Sequence, residues 1–276
     1  MMAIISLVNN KGGVGKTTMT VNLAHALANR QKDVLVVDLD SQCNSSSLLV
    51  DGGFVEESLY DILSGENEAI SKAVYSTPYE RLKCLVNEEE TSALEFDLSA
   101  NLPENYNILR SKIKNYVNTN FDYTLIDCPP NLGFFVINAL VASDFVIVPV
   151  MCGSRFSIEG LTKAIKLVHF IQKENKDDPT RVSNPDLRFL RLAINSIDKR
   201  TTMSKVILER LKKNFGEDQI FETNIGMSTV FHQAEDLNKT VIRHAPRSIG
   251  ARAYRDLAKE LCNILGDNGD NGQSEG

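Results

Sequence analysis

The stretch "KGGVGKTT", Lys11 to Thr18, puts three glycines, two lysines and two threonines into one short loop. That composition suits phosphate. Gly12, Gly13 and Gly15 let backbone N–H groups turn inward on anionic oxygens, and the positive N-terminal end of a following helix adds to the attraction. Measured against the pattern G-x-x-x-x-G-K-[ST], the match is close but deviant, because Lys11 stands where the first glycine belongs. In that pattern Lys16 neutralises the β and γ phosphates and the Thr17 hydroxyl binds Mg²⁺, with Val14 and Thr18 completing the nucleotide-binding loop. A loop that only held nucleotide would need one lysine, so Lys11 asks for a task of its own.

Carboxylates supply the second half of such chemistry. "DVLVVDLD" and "YTLIDCPP" are continuous apolar runs, each ending in aspartate. Asp38 and Asp40, two apart on a strand, point the same way, at the edge where open α/β sheets bind ligands. Asp127 follows an apolar run that would bury it without a partner, and a buried lone charge is costly. The four histidines lack metal-like spacing.

The elements that must position these groups can be read from hydrophobic period. Ala3 to Asn9 is β-prone and leads through the glycine loop into "KTTMTVNLAHALANR", a helix with Val21, Leu23, Ala24, Leu27 and Ala28 on one face. "DFVIVPV" and "RFLRLAIN" repeat the buried-strand pattern, and "RLKCLVN" is a weaker strand. Helices are expected around 105–118 and 158–172, and again in "SKVILERLKKNF" and "SIGARAYRDLAKELCNIL". Alternating strands and helices predict an α/β, doubly wound, mostly parallel sheet with helices on both faces. A single domain over 1–265 is expected, followed by a disordered polar tail over 266–276, "GDNGDNGQSEG" preceded by Leu265.

Composition narrows the class. The chain has 276 residues, 42% of them hydrophobic, and no apolar run of membrane-spanning length. Its five cysteines form no C-x-x-C pair, which argues against disulfides, zinc ribbons and bridging iron–sulfur sites. The start runs straight into the phosphate loop without a cleavable signal, so a cytoplasmic protein is expected. The net charge of -6 is uneven: 51–104 is strongly acidic and 197–265 mildly basic. An acidic total does not exclude nucleic acid, because an electrostatic footprint is local.

"KGGVGKTT", "VLVVDLDSQCN" and "TLIDCPP" together resemble the deviant Walker A ATPases, the family of ParA-type partition and MinD-type positioning proteins. "NLGFFVINALVASDFVIVPV", "SIEGL", "INSIDKRT" and "HAPRSIGARAYRDLAKEL" are similar to the ParA branch in order and spacing, so the resemblance covers nearly the whole chain. It implies ATP and Mg²⁺ as ligands. It also implies that Lys11 reaches across a nucleotide-sandwich homodimer to the partner's phosphates, that Asp40 positions water, and that Asp127 holds Mg²⁺ through water. Asp38 is expected to support the Mg²⁺ shell or the loop. Asn195, at the end of "RLAIN", matches a position that contacts adenine.

What the resemblance implies about use is a switch. An ATP-bound dimer would bind DNA without sequence preference, associate with the nucleoid, and be released when a ParB-like partner stimulates hydrolysis. Candidate phosphate contacts are Lys199, Arg200, Lys205, Arg243, Arg247, Arg252 and Arg255, with Arg200 foremost because "IDKR" matches a segment carrying a DNA-binding arginine. One departure stands out: where many relatives have isoleucine-proline and then basic residues, this chain reads "NIGMSTVFHQA" with neither arginine nor lysine. No helix-turn-helix precedes the ATPase, so operator recognition is not expected. The alternative, MinD-like positioning at a membrane surface, would want an amphipathic terminal helix, and the acidic tail offers none. Metabolic enzymes and metal-cluster carriers on the same scaffold would want a second substrate pocket or paired cysteines.

Overall fold

A computed structural model of the chain describes residues 2–65, 69–152, 156–174, 182–198 and 200–267. Seven strands form one sheet in the order β3-β4-β2-β5-β1-β6-β7. They are β1 (Ala3–Leu7), β2 (Val34–Asp38), β3 (Val74–Ser76), β4 (Leu82–Leu85), β5 (Tyr123–Asp127), β6 (Phe145–Met151) and β7 (Arg188–Asn195). All neighbours pair in parallel except β3, an antiparallel edge on β4. The expected α/β, doubly wound architecture is what the chain adopts.

Alternation along each strand divides the core in two. Ile4, Leu35, Val37, Ile126, Val146 and Val148 face one layer, packed against α3 (Leu59–Ser64), α5 (Ile108–Asn120), α6 (Phe134–Ala142), α7 (Phe156–Gln172) and α8 (Thr202–Phe215). Ala3, Ile5, Leu7, Val34, Val36 and Leu125 face the other, against α1 (Lys16–Ala28) and α11 (Ile249–Ile264). Strands buried on both faces read as unbroken apolar runs, as the central strands here do. Between α1 and α11 lie α2 (Asn44–Leu49) and α4 (Thr91–Ser99) early in the chain, and α9 (Val230–Glu235) and α10 (Val241–His244) late in it.

Several elements lie beyond what hydrophobic period could reveal. α6 is apolar nearly all round and buried on most of its surface, so it carries no amphipathic stripe. β3 spans three residues and α2, α3 and α9 six each, too few to establish a period. Of the tail expected over 266–276, Gly266 and Asp267 are described, and Asp267 pairs with Lys32 at 2.6 Å and accepts a hydrogen bond from the Tyr123 hydroxyl at 2.7 Å. The remainder of that tail, 268–276, lies outside the described residues.

The topology aims three strand ends at one point. Leu7 of β1 and Asp38 of β2 both register with Asp127 of β5, so the phosphate loop and both strand-terminal aspartates leave the sheet side by side. This is the carboxyl edge, where crevices of open parallel sheets form.

Candidate active site

The loop after β1 gains its shape from two left-handed glycines, Gly13 at φ 70 and Gly15 at φ 84, the latter capping α1. At Gly15 a side chain is excluded twice over, because an added Cβ would also lie 2.1 Å from the Asn195 amide nitrogen. That amide donates to the Val14 carbonyl at 2.8 Å. Asn195, expected at a base edge, is thus at least partly committed to clamping the loop onto the end of β7. Asn9 does the same from the other side: its carboxamide oxygen accepts from the Lys11 N–H and its nitrogen donates to the Pro149 carbonyl.

Gly12, Gly13, Gly15, Lys16, Thr17 and Thr18 line a cavity of about 470 Å³, opposed by Asp40 and Pro130. Lys16 is 7% exposed, with its ammonium group 3.5 Å from the Lys11 carbonyl. Burial pulls its pKa below the usual lysine range, against the raising influence of Asp127. Lys11 is half-buried and is not among the residues lining the cavity of its own chain. Its backbone and Cβ are backed by Gly160 of α7, where an added Cβ would meet Asn9 at 3.0 Å and Lys11 at 3.4 Å.

The three aspartates occupy different environments. Asp40, 8% exposed, faces the cavity and accepts from the Gln42 N–H at 3.1 Å. Asp38 is fully buried and spends both oxygens internally: one accepts from the Asp40 N–H, the other from the N–H and hydroxyl of Ser46, both at 2.8 Å. Of the two places expected for Asp38, the Mg²⁺ shell or the loop, these bonds supply the second: its oxygens shape the loop that carries Asp40. Asp127, also fully buried, accepts from the Ser45 hydroxyl at 2.7 Å with one oxygen, while the other has no hydrogen-bond partner. Burial raises the pKa of both Asp38 and Asp127 above the carboxylate range; for Asp127, Ser45, Thr17 and Lys16 oppose it.

That orphaned oxygen tests whether a metal fits. A buried carboxylate oxygen without a donor is costly, and beside Thr17 at the floor of a phosphate-sized cavity a hard cation with oxygen ligands satisfies it. Asp127 and Thr17 therefore fit Mg²⁺. No group of three or more histidine, cysteine or acidic residues suited to a metal occurs among the described residues. All five cysteines are free thiols.

Some functional neighbours escaped sequence reasoning. Ser45 and Ser46 sit in "DSQCNSSS", whose serines directly after a strand-terminal carboxylate were an available signal. Asn87, two residues past the end of β4, buttresses the same loop, donating to the Asp40 carbonyl at 3.1 Å and, through its N–H, to the Ser46 hydroxyl at 2.9 Å. Glu235, at the end of α9, takes the Thr18 hydroxyl at 2.5 Å across 217 positions of sequence, a pairing without local signal.

The basic candidates separate into two groups. Arg200 is exposed, but its guanidinium is held by Asp198 through two hydrogen bonds of 2.9 Å. Lys199 lies outside the described residues. Arg243, Arg247 and Arg252 are exposed on α10, α11 and their short connection, and none has an ion-pair partner among the described residues. Arg255 is exposed and donates to the Pro246 carbonyl, and Lys205 is exposed on α8. No helix among the described residues is long and apolar enough to cross a membrane.

Known proteins with this arrangement are numerous. The AAA domain family model matches residues 2–180. The sporulation initiation inhibitor protein Soj of Bacillus subtilis is 36% identical over 263 residues, spanning 95% of this chain and 99% of Soj. The chromosome partitioning protein ParA of Caulobacter vibrioides is 30% identical, spanning 94% of each chain. Among solved structures, the septum site-determining protein MinD of Pyrococcus horikoshii, complexed with Mg-ADP, superposes with a TM-score of 0.78 at 26% identity, covering 98% of this chain and 100% of that one. With a deviant phosphate loop, paired aspartates and near-complete coverage by such relatives, the chain belongs to the ParA/Soj branch of the ParA/MinD family of ATPases.

Proposed function

We propose that this chain is a partition ATPase that binds ATP with Mg²⁺, associates as a homodimer, holds DNA without sequence preference, and lets go on hydrolysis. The observation that carries the reading is the pairing of a buried in-chain cation, Lys16, with a second cation, Lys11, outside the cavity of its own chain. Lys16 and the loop N–H groups bind the β and γ phosphates, and Thr18 adds a hydroxyl further along. Asn195 keeps the loop closed. Thr17 and Asp127 would hold Mg²⁺, which when bound screens the phosphate charge. Asp40, positioned by Asp38 and Asn87, orients the attacking water and accepts its proton as hydrolysis proceeds. A Lys11 ammonium lent by a second subunit stabilises charge on the transferring phosphoryl group only after association, which ties hydrolysis to the dimer.

For DNA, the observations favour a patch displaced from Arg200 to Arg243, Arg247 and Arg252, where no described carboxylate competes. A ParB-like partner would stimulate turnover, and association with the nucleoid would follow from DNA binding. The membrane-surface alternative wants a free apolar face, whereas α11 spends Tyr254, Leu257, Ala258 and Leu261 on the core. The deciding experiment follows sedimentation and DNA retention with Mg-ATP, Mg-ADP and no nucleotide across a salt series. ATP-dependent dimers whose DNA retention falls steeply with salt are expected. A chain that hydrolyses ATP at full rate as a monomer at every concentration would overturn the reading.

A further inference from the structure

Beside the nucleotide cavity, α1 presents a polar stripe to the late helices. Thr18, Asn22 and His25, spaced for one helical face, contact Glu235, Val241 and Thr240 respectively. The first of these contacts is the only one of the three on the cavity wall, for Thr18 and Glu235 both line it. A threonine hydroxyl has one proton to donate. In this structure it goes to the Glu235 carboxylate, and a phosphate oxygen in the cavity would compete for it while repelling the same carboxylate.

A second acceptor-seeking group lies under α9. The Tyr254 hydroxyl of α11 is buried without a hydrogen-bond partner, a costly state for a phenol in a core. α9 rests on this residue: Phe231 meets the Tyr254 ring edge-on at 5.9 Å and packs so closely on Gly250 that an added Cβ there would lie 2.8 Å from it. Phe231 and Glu235 are four apart and share a face of α9. The phenol pKa is raised by burial first and by the Glu235 charge second. Glu235 also ends its helix, where a carboxylate meets the negative end of the dipole, and its second oxygen lies 3.5 Å from His232 Nδ1.

We infer that Glu235 is a positioning residue for nucleotide binding, a two-position carboxylate that exchanges the Thr18 hydroxyl for the Tyr254 hydroxyl when a phosphate oxygen claims Thr18. The inference rests on the nucleotide reading above and adds to it the group that regulates access to Thr18. Each position satisfies one otherwise unmatched hydroxyl, so the exchange conserves hydrogen bonds while moving negative charge away from the phosphates.

The test is a double-mutant cycle on binding of a non-hydrolysable ATP analogue with Mg²⁺, together with thermal stability measured without nucleotide. Tyr254→Phe, which removes only the unpartnered hydroxyl, should weaken the analogue about tenfold, the value of a hydrogen bond to a charged group, without lowering thermal stability. Glu235→Ala should bind the analogue at least as tightly as the unaltered chain, and adding Tyr254→Phe to it should change nothing further. An unchanged affinity for Tyr254→Phe, or the same tenfold loss with and without Glu235, overturns the exchange while leaving the nucleotide reading intact. Failure of the unaltered chain to bind the analogue overturns both.

Discussion

The two flanks of the cavity handle charge in opposite ways. On the β2–β5 flank Lys16, Asp38, Asp40 and Asp127 are all at least nine-tenths buried, and Asp38 and Asp127 sit side by side in register. On the α10–α11 flank Arg243, Arg247 and Arg252 are exposed. Buried charges fix one geometry, since each must find partners or shift its pKa. Exposed cations keep their hydration and interact weakly and additively with whatever phosphate passes. The first flank is built for chemistry on a single ligand, and under the proposed function the second would meet DNA without regard to sequence.

The largest expected effect separates the two lysines of the loop. Lys16→Ala removes a buried cation from the cavity and should weaken ATP at least about 100-fold, the scale of charge-assisted hydrogen bonds lost together. Lys11→Ala should keep ATP affinity within about threefold, because Lys11 does not line its own cavity, yet abolish the ATP-dependent dimer. Calorimetry paired with sedimentation reads both. Equal losses of affinity would erase the distinction between in-chain and lent cation.

Next comes Asp40→Ala, which leaves the phosphate loop untouched and should form an ATP-bound dimer whose turnover falls by about 10²-fold, the usual contribution of a group handling the proton. Single-turnover phosphate release measures it. Turnover within a few-fold of the unaltered chain would move the water-handling role to another residue.

Legibility followed the same division. The loop and the two strand ends could be read because glycine spacing and carboxylates closing apolar runs are local signals, and β1, β2 and β5 then bring them together. For Asp38 the sequence leaves the Mg²⁺ shell and the loop both open, because direction along a strand says where a carboxylate points, and not that Ser46, eight residues on, bonds to its oxygen. Asn195 is named by the resemblance alone, and its grip on Val14 depends on a contact across 181 positions. Arg200 is favoured as a phosphate contact by the resemblance of "IDKR" to a segment carrying a DNA-binding arginine, and the structure adds Asp198 held against it. Glu235 had no sequence signal at all.

Between the flanks lies a pH-sensitive joint. His25 of α1 is 6% exposed, stacks on Tyr79 at 4.1 Å and shares a 2.6 Å hydrogen bond with the Thr240 hydroxyl. Burial, with Arg255 and Arg243 adding to it, lowers its pKa to about 4. Protonation is therefore harder in the folded chain than in the unfolded one, where the pKa is 6.5. The stabilisation is whole above pH 6.5 and drains away as pH falls to 4, by up to about 3 kcal/mol. Urea unfolding between these pH values, compared with His25→Gln, should show stability in the unaltered chain falling further as pH falls than in the variant, the buried carboxyls Asp38 and Asp127 acting in the opposite direction in both. Identical slopes would mean that this joint carries no titration.

The smallest effects should lie on the exposed flank, and they sharpen the comparison most finely. Replacing Arg243, Arg247 and Arg252 together by alanine should weaken ATP-dependent DNA retention nearly uniformly across sequences and flatten its salt slope by about one unit per lost phosphate contact. Arg200→Ala alone should change retention by less than about twofold, because an exposed pair such as Arg200 with Asp198 contributes little and its cation is already engaged. Asp198→Asn gives the complementary reading: freeing the Arg200 guanidinium should strengthen retention slightly and steepen the salt slope. If Arg200→Ala instead matched the triple replacement, the working surface would lie at the end of β7, and Asp198 would be a partner that DNA displaces.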